Sequence, residues 1–578
     1  MGDEKKVDQN NPYWPPADPF KWLILILFFF VGLLFYFSSF QNGFIWDDQM
    51  VITPNLYIRD WVHIKEIFST DIHHFGLDKS NFYRPLQAVS YMLDYSVWQL
   101  NPMGYHVSSV LIHILNSFLI YLIVFGSIGV IDRKVADHSR LIALGCSLTW
   151  LVHPIHTQVV TYAAGRADEL VALFILLSIY TFMVCKTVYP SLVFFIFALC
   201  SKEYGVITPA FIFLFNYFGL SKNISSSLRK FLPYGIVLFI YVLLRLTWLN
   251  FPTDFSADGI PGFYQRILTS TMAIVNLVYL LFVPFDLSMD RNIEWQKTIF
   301  SLSSFVPMVA LIITTVLAFM LRKQFPVILF GVIWFCIGYA PVSNFIPLNA
   351  NISEHWMYVP SIGIWLIFFY LMIKIFKNYD IKLYYGLIFV FVIYFGLILI
   401  NRNKYFKDEI VFYNQILSRE YKNPRVHYNL GCAYFYAGQE DEAYKHLSEA
   451  IKFKPDYAAA YGNLGQLEYR RGNVDAAIDL YVKANELKAD LIENRVNLAT
   501  AFIQKKLFKE AMEQLNLALK INPKHVSTLN NMGVVSASLG DYNAAQKYFD
   551  YALTIDPTDI SAQNNQSRLS ELQNKEIK

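Results

Sequence analysis

Apolar runs near 20 residues long recur from residue 21 to residue 400, and they constrain this chain more than any motif does. A helix crossing the hydrocarbon core of a bilayer needs about 20 consecutive apolar residues. Candidate runs lie near 21–40, 106–126, 141–159, 169–186, 189–201, 204–220, 231–250, 263–284, 300–321, 326–342, 359–376 and 383–400. The chain is 55% hydrophobic and only 16% charged, against about a quarter charged in a soluble protein, so lipid is the expected solvent of this part. The net charge of +3 is too small and too scattered to suggest nucleic acid as a partner. Cys146, Cys185, Cys200, Cys336 and Cys432 form no CxxC pair and read as small buried hydrophobes.

Residues 1–20 form a polar tail. Lys21 opens the first run, which no small-residue cleavage site follows, so a retained signal anchor is expected. The positive-inside rule puts Lys5, Lys6 and Lys21 in the cytoplasm, with Arg133, Lys134 and Arg140, then Lys222, Arg229 and Lys230, then Arg322 and Lys323, and finally Lys374, Lys377 and Lys382. The last two groups fit only if the run at 263–284 does not cross, which predicts a re-entrant or interfacial helix and eleven spans. The loops at 41–105, 160–168, 201–203, 251–299 and 343–358 then lie outside, together with everything after residue 400.

After a linker at 401–423 the chain repeats itself. Asn429, Asn463, Asn497 and Asn531 are 34 residues apart; Ala443, Ala477, Ala511 and Ala545 keep the same period, as do Ala450, Ala484, Ala518 and Ala552. Pro455, Pro523 and Pro557 close three repeats, and Ala489 replaces proline in the other. This is the tetratricopeptide period, so four repeats over 424–559 and a polar capping helix over 560–578 are expected. An amide both donates and accepts, so a column of Asn side chains can hold an extended peptide backbone. The column resembles the asparagine ladder of O-linked N-acetylglucosamine transferase; helix packing is the equally open alternative.

The polar residues of the predicted outer loops are the candidates for chemistry. Asp47 and Asp48 follow the first span, and two adjacent carboxylates raise each other's pKa, so one is a candidate general base. Arg84, Arg166, Lys202 and His355 are candidate cations for an anionic lipid head group, unless they only pair with Asp168, Glu203 and Glu354. His106, His113 and Asn116 read as packing and hydrogen-bonding groups inside the second span. The triplet Asn351-Ile352-Ser353 is a sequon on the predicted outer side.

The ordered set Phe-Ile-Trp-Asp-Asp (44–48), Tyr-Arg-Pro-Leu (83–86), His-Pro-Ile-His-Thr (153–157), Gly-Arg-Ala-Asp (165–168), Ser-Lys-Glu-Tyr-Gly (201–205) and Tyr-Val-Pro-Ser-Ile-Gly (358–363), followed by the repeats, resembles the TMTC proteins, transmembrane and tetratricopeptide-containing O-mannosyltransferases. The segment 283–290 is similar to their lumenal central loop. The resemblance implies an all-α architecture: a polytopic GT-C-type helical domain over 21–400, then a tetratricopeptide solenoid. It implies inverting transfer of a sugar, mannose in this family, from a polyprenyl or dolichyl phosphate to Ser or Thr of an extracytoplasmic protein. A carboxylate of the first outer loop would be the base, Asp47 before Asp48. Arg84, Arg166, Lys202 and His355 would meet the lipid phosphate, and Asn429, Asn463, Asn497 and Asn531 the acceptor polypeptide. No cofactor is required on this reading; a divalent cation on Asp168 and Glu169 is the less favoured alternative. The short repeat array and the Lys/Asn/Ile/Phe/Tyr-rich composition depart from the animal members and suggest a bacterial relative; the repeats are expected in the periplasm of a bacterium or the endoplasmic reticulum lumen of a eukaryote. A lipid or cell-wall acceptor, and a non-catalytic scaffold or transporter, are the rival readings.

Overall fold

The computed structural model describes residues 18–73, 80–185, 187–220, 224–251, 261–348, 350–376 and 380–576. Most of the N-terminal tail, with Lys5 and Lys6, and also His74, Lys222 and Lys377, lies outside the described residues or among side chains left undescribed. The chain forms two compact units, Met1–Phe412 and Tyr413–Lys578, and among the described residues both are built of helices and turns without strands.

Among the described residues, six helices of the first unit are long and apolar enough to cross a membrane: Lys21–Gln41, Pro102–Ile131, Ala163–Val184, Phe263–Phe282, Leu302–Lys323 and Ile381–Phe406. Three shorter apolar helices, Tyr189–Ser201, Pro326–Val342 and Ser361–Phe376, accompany them. Pro102–Ile131 is central and mostly buried, whereas Leu302–Met320 leaves Phe305, Ile312, Ile313, Phe319 and Met320 exposed. Such an apolar surface is costly in water and matched by lipid. The run at 263–284, expected to be re-entrant on charge grounds, forms one continuous helix of 20 residues that meets the length requirement.

Local chemistry breaks two of the expected spans. The run at 141–159 stops as a helix at Leu151, because Pro154 cannot donate to the ladder and biases His153 to an extended conformation. It resumes as the single turn Thr157–Val160. The run at 204–220 divides into a 3₁₀ turn at Glu203–Ile207, a helix at Thr208–Phe215 and a π turn at Asn216–Leu220. Beside the main core, a second small core of Val51, Ile52, Ile58, Ile67, Ala88, Tyr91, Met92, Tyr105 and Ala163 lies under the first loop. It seats the amphipathic helix Pro85–Trp98 against the start of Ala163–Val184.

In the second unit, helix pairs run from Pro424–Tyr436 and Glu440–Phe453 to Val526–Ser538 and Tyr542–Ile555. All eight periodic alanines are fully buried, which explains the small-residue period: the two helices of each pair meet there. At Gly533 an added Cβ would stand 2.4 Å from the Phe549 ring. The capping helix Ile560–Glu576 covers the last pair with Ala562 and Leu569. The stretch 401–423 holds the end of Ile381–Asn403 and a helix at Glu409–Leu417.

Candidate functional site

The turn after the first helix separates two adjacent carboxylates. Trp46 takes a left-handed conformation (φ +47°), which sends Asp47 outward and Asp48 inward. Asp48 is fully buried; its Oδ1 accepts the Ala164 N–H at 2.6 Å and its Oδ2 the Ile45 N–H at 3.2 Å. Burial pushes its carboxyl up to about 8; the backbone N–H groups of Ile45 and Ala164 oppose the rise and the neighbouring Asp47 charge adds to it. Asp47 is exposed, and the buried Tyr162 hydroxyl accepts its backbone N–H at 2.9 Å. The same hydroxyl also hydrogen-bonds the Asp47 side chain.

Tyr162 opens a short segment that carries most of the remaining partners. At Gly165 a Cβ would lie 2.5 Å from the Val159 carbonyl oxygen and 2.7 Å from that of Gln158, so only glycine fits the turn. Helix Arg166–Val184 begins at the next residue. Residues i and i+3 share a helix face, and Arg166 and Glu169 both turn inward. Arg166 is 1% exposed, donates to the Tyr105 carbonyl at 2.7 Å and Ser109 Oγ at 3.0 Å, and pairs with Asp94 at 3.0 Å and Glu169 at 3.6 Å. Asp168 faces the other way, and the Lys202 ammonium donates to both its oxygens at 2.7 and 2.8 Å. Beside it Arg84 lies 3.5 Å from Glu203, which also accepts the Tyr83 N–H at 3.2 Å, and stacks on Phe82 at 4.4 Å.

His355 joins this group from the loop before Ser361–Phe376. Burial holds its imidazole down to about 4; the Asp168 carboxylate resists that shift, and the charges of Lys202 and Arg84 reinforce it. The preceding Glu354 is fully buried and pairs with Arg402 at 2.6 Å and Arg291 at 3.5 Å, while accepting the Ser288 N–H at 2.7 Å. Asn351 is buried too, and its amide donates to Asn292 Oδ1 at 2.7 Å, so the sequon is closed to modification in the folded chain.

The geometry gathers Arg84, Lys202, His355 and Asp168 into one partly exposed cluster. It corrects the grouping of Arg166 with them: that guanidinium is enclosed among Asp94, Glu169, Ser109 and Tyr105. Asp168 and Glu169 face different partners and do not form a shared ligand pair. Glu203 pairs with Arg84 and Glu354 with two arginines, rather than Glu354 with His355. Tyr162 and Gln158 were missed because their partners are 115 and 130 to 197 residues away in sequence. His113, with Tyr358 Oη at 2.8 Å, and Asn116, donating to the Glu169 carbonyl at 3.0 Å, fill hydrogen-bonding roles in the core. Among the described residues no group of three or more His, Cys, Asp or Glu side chains is disposed to hold a metal ion.

In the second unit the four ladder residues are half-buried on the first helix of each repeat. Asn463 donates to Tyr428 Oη at 3.2 Å and Cys432 Sγ at 3.0 Å, and Asn531 to Thr500 Oγ1 at 3.2 Å. Two of the four amides thus tie their repeat to the one before.

Together these features define a helical membrane protein with a polar cluster at the ends of its apolar helices and, as a separate unit, a tetratricopeptide array. Family models for the tetratricopeptide repeat match residues 424–457, 492–525 and 526–559. The intervening 458–491 form the same helix pair, Ala458–Arg470 and Val474–Leu487. Among curated proteins the chain is similar to protein O-mannosyl-transferase F38B6.6 of Caenorhabditis elegans, 25% identical over 75% of this chain and 63% of that protein. It is similar to protein O-mannosyl-transferase tmtc2 of Xenopus laevis, 30% identical over 46% of this chain and 34% of that protein. Protein O-mannosyl-transferase TMTC3 of Homo sapiens is 22% identical over 94% of this chain and 61% of its own length. The chain is a relative of the TMTC protein O-mannosyl-transferases, as the ordered motifs suggested, and it spans between one third and just under two thirds of the length of these relatives.

Proposed function

We propose that this protein is a membrane glycosyltransferase that moves a sugar, mannose, from a polyprenyl or dolichyl phosphate to Ser or Thr of an extracytoplasmic protein, with inversion. The observation that carries this reading is the division of labour between Asp47 and Asp48. One carboxylate is exposed and steadied by Tyr162; the other is buried and spent on backbone N–H groups. Asp47 takes the proton from the acceptor hydroxyl as its oxygen attacks the anomeric carbon in line. The bond from that carbon to the phosphate oxygen breaks, and the electron pair leaves with the lipid phosphate, whose charge meets Lys202 and Arg84. The names of the relatives support the sugar and the acceptor class.

No divalent ion enters the proposal, since Lys202 already occupies both oxygens of Asp168. The repeats deliver the acceptor polypeptide, with Asn429, Asn463, Asn497 and Asn531 on its backbone. The polar cluster and the repeats face the same, non-cytoplasmic compartment. The test is transfer of radiolabel from polyprenyl-phosphate mannose to membrane proteins by the wild type and by Asp47→Asn. Transfer by the wild type alone is the expected result. Equal transfer by both removes Asp47 as the base, and transfer by neither removes the reading.

A further inference from the structure

The stretch 401–423 reads as a linker in sequence, yet residues 401–412 belong to the first compact unit and back the turn that carries Asp47. The Gly43 N–H donates to the Lys407 carbonyl at 2.9 Å, and the Asn42 amide donates to the Asn403 carbonyl at 3.1 Å. The buried Asn403 amide donates to the Phe35 carbonyl at 3.2 Å and accepts from Thr161 Oγ1 at 2.7 Å. Thr161 precedes Tyr162, whose hydroxyl accepts the Asp47 N–H. One segment therefore reaches both supports of the Asp47 carboxylate: the turn in front of it and the hydroxyl beside it.

Trp46 is the point that needs backing. Its φ of +47° lies in the left-handed region, which a bulky side chain enters at a cost and keeps only where its surroundings impose it. Two residues of the same segment do so. The Phe412 ring meets the Trp46 ring edge to face, with centroids 5.5 Å apart and planes at 78°. Phe412 is itself fixed: it is 1% exposed and packs on Phe406 at 5.5 Å. The Trp46 N–H donates to the Glu409 carboxylate. Residues 409 and 412 are three apart on helix Glu409–Leu417 and share a face, so the ring and the backbone of Trp46 are held from one side of one helix.

We propose that Glu409 and Phe412 are positioning residues for the transfer reaction: they hold Trp46 left-handed and thereby fix where the Asp47 carboxylate stands. This rests on the glycosyltransferase reading, with Asp47 as the base. Both residues act through Trp46, whose backbone sets the direction in which Asp47 leaves the turn. The base must stand within hydrogen-bond reach of the acceptor hydroxyl, and a small misplacement lowers the rate of the chemical step more than the affinity for the donor. The segment after the last membrane helix is then part of the framework of the reacting site.

A double-mutant cycle in the full-length chain, read by transfer from polyprenyl-phosphate mannose, separates positioning from general support. Phe412→Ala should lower kcat about tenfold with the donor KM unchanged. Glu409→Ala should do the same, and Glu409→Gln, which keeps an acceptor oxygen, should stay within about threefold of wild type. Glycine enters the left-handed region freely, so in a Trp46→Gly background Phe412→Ala should cost less than about twofold. An equal cost in both backgrounds, or a loss that falls on the donor KM in place of kcat, overturns the proposal. One measurement needs neither a variant nor activity: in the wild-type chain the Gly43 and Trp46 amides, both bonded to this segment, should exchange hydrogen slowly, and exchange at the rate of an open loop overturns it as well. Wild-type transfer with an additive cycle sinks this assignment alone, whereas absence of wild-type transfer sinks the glycosyltransferase reading and this assignment with it.

Discussion

The Lys202 ammonium sits across both carboxylate oxygens of Asp168, at 2.7 and 2.8 Å, with each side chain under one fifth exposed. The pair joins the turn at 201–203 to the first turn of helix Arg166–Val184 and keeps a positive charge at a fixed place beside Arg84. Lys202→Ala should therefore lower kcat/KM for the lipid-phosphate donor about 100-fold, since it removes a preorganised charge from the leaving group. Asp168→Asn keeps the ammonium and should cost about tenfold or less on the same scale. Donor-dependent steady-state kinetics of the two variants, side by side, checks the order.

Tyr162→Phe tests how Asp47 is held. The hydroxyl accepts the Asp47 N–H and bonds its side chain, so its loss frees the carboxylate to rotate. The expected outcome is a fall in kcat of about tenfold with donor KM unchanged. Transfer kinetics at saturating donor reads it directly.

Asp48 gives a stability signature in place of a catalytic one. Its folded pKa, about 8, lies above the ordinary carboxylate value. The folded chain therefore holds a proton that the unfolded chain releases near pH 4. Stability from this group is complete below about pH 4 and is lost as pH rises through 8. Asp48→Asn stays neutral at every pH but sets an NH₂ against a backbone N–H, at a cost of about 1–3 kcal/mol. The melting temperature of the wild type should exceed that of the variant most at acid pH, and the gap should narrow between about pH 5 and 9.

The repeats offer a fourth test. Gly438, Gly472 and Gly540 take positive φ at the turn inside three repeats, and Lys506 stands at the same place in the other with φ +60°. A side chain there costs about 1 kcal/mol, so Lys506→Gly should stabilise that repeat by roughly this amount. Slower hydrogen exchange in Ile492–Gln504 and Phe508–Ile521 would register it.

The architecture was legible wherever a period or a run carries it. The 34-residue spacing located the helix pairs of all four repeats, because buried alanines recur only if the packing recurs. Pro154 announced its own break, though a hydropathy run passes straight over it. Arg166 was pooled with Lys202 on composition, yet the helical turn at Arg166-Ala167-Asp168-Glu169 already separates faces: positions 166 and 169 share one, and 168 lies on the other. His355 was out of reach for a different reason. Its place depends on Gln158 and its charge state on burial and the charges of Asp168, Lys202 and Arg84; Gln158 and Lys202 lie nearly 200 and just over 150 residues earlier, and no local pattern encodes such a meeting.

Helix Ser139–Leu151 has 13 residues and is roughly 20 Å long, against about 30 Å of hydrocarbon. The helix ends before His153 and Pro154, short of that thickness, so on the proposed topology the Tyr162–Glu169 segment would start from a level inside the bilayer. The lipid-borne donor of the proposed function would then reach the cluster by sideways diffusion, without rising out of its leaflet. The quantity that sets occupancy is the mole fraction of that lipid in the membrane plane, and diluting it with inert phospholipid should slow turnover even when the total amount in the tube is unchanged.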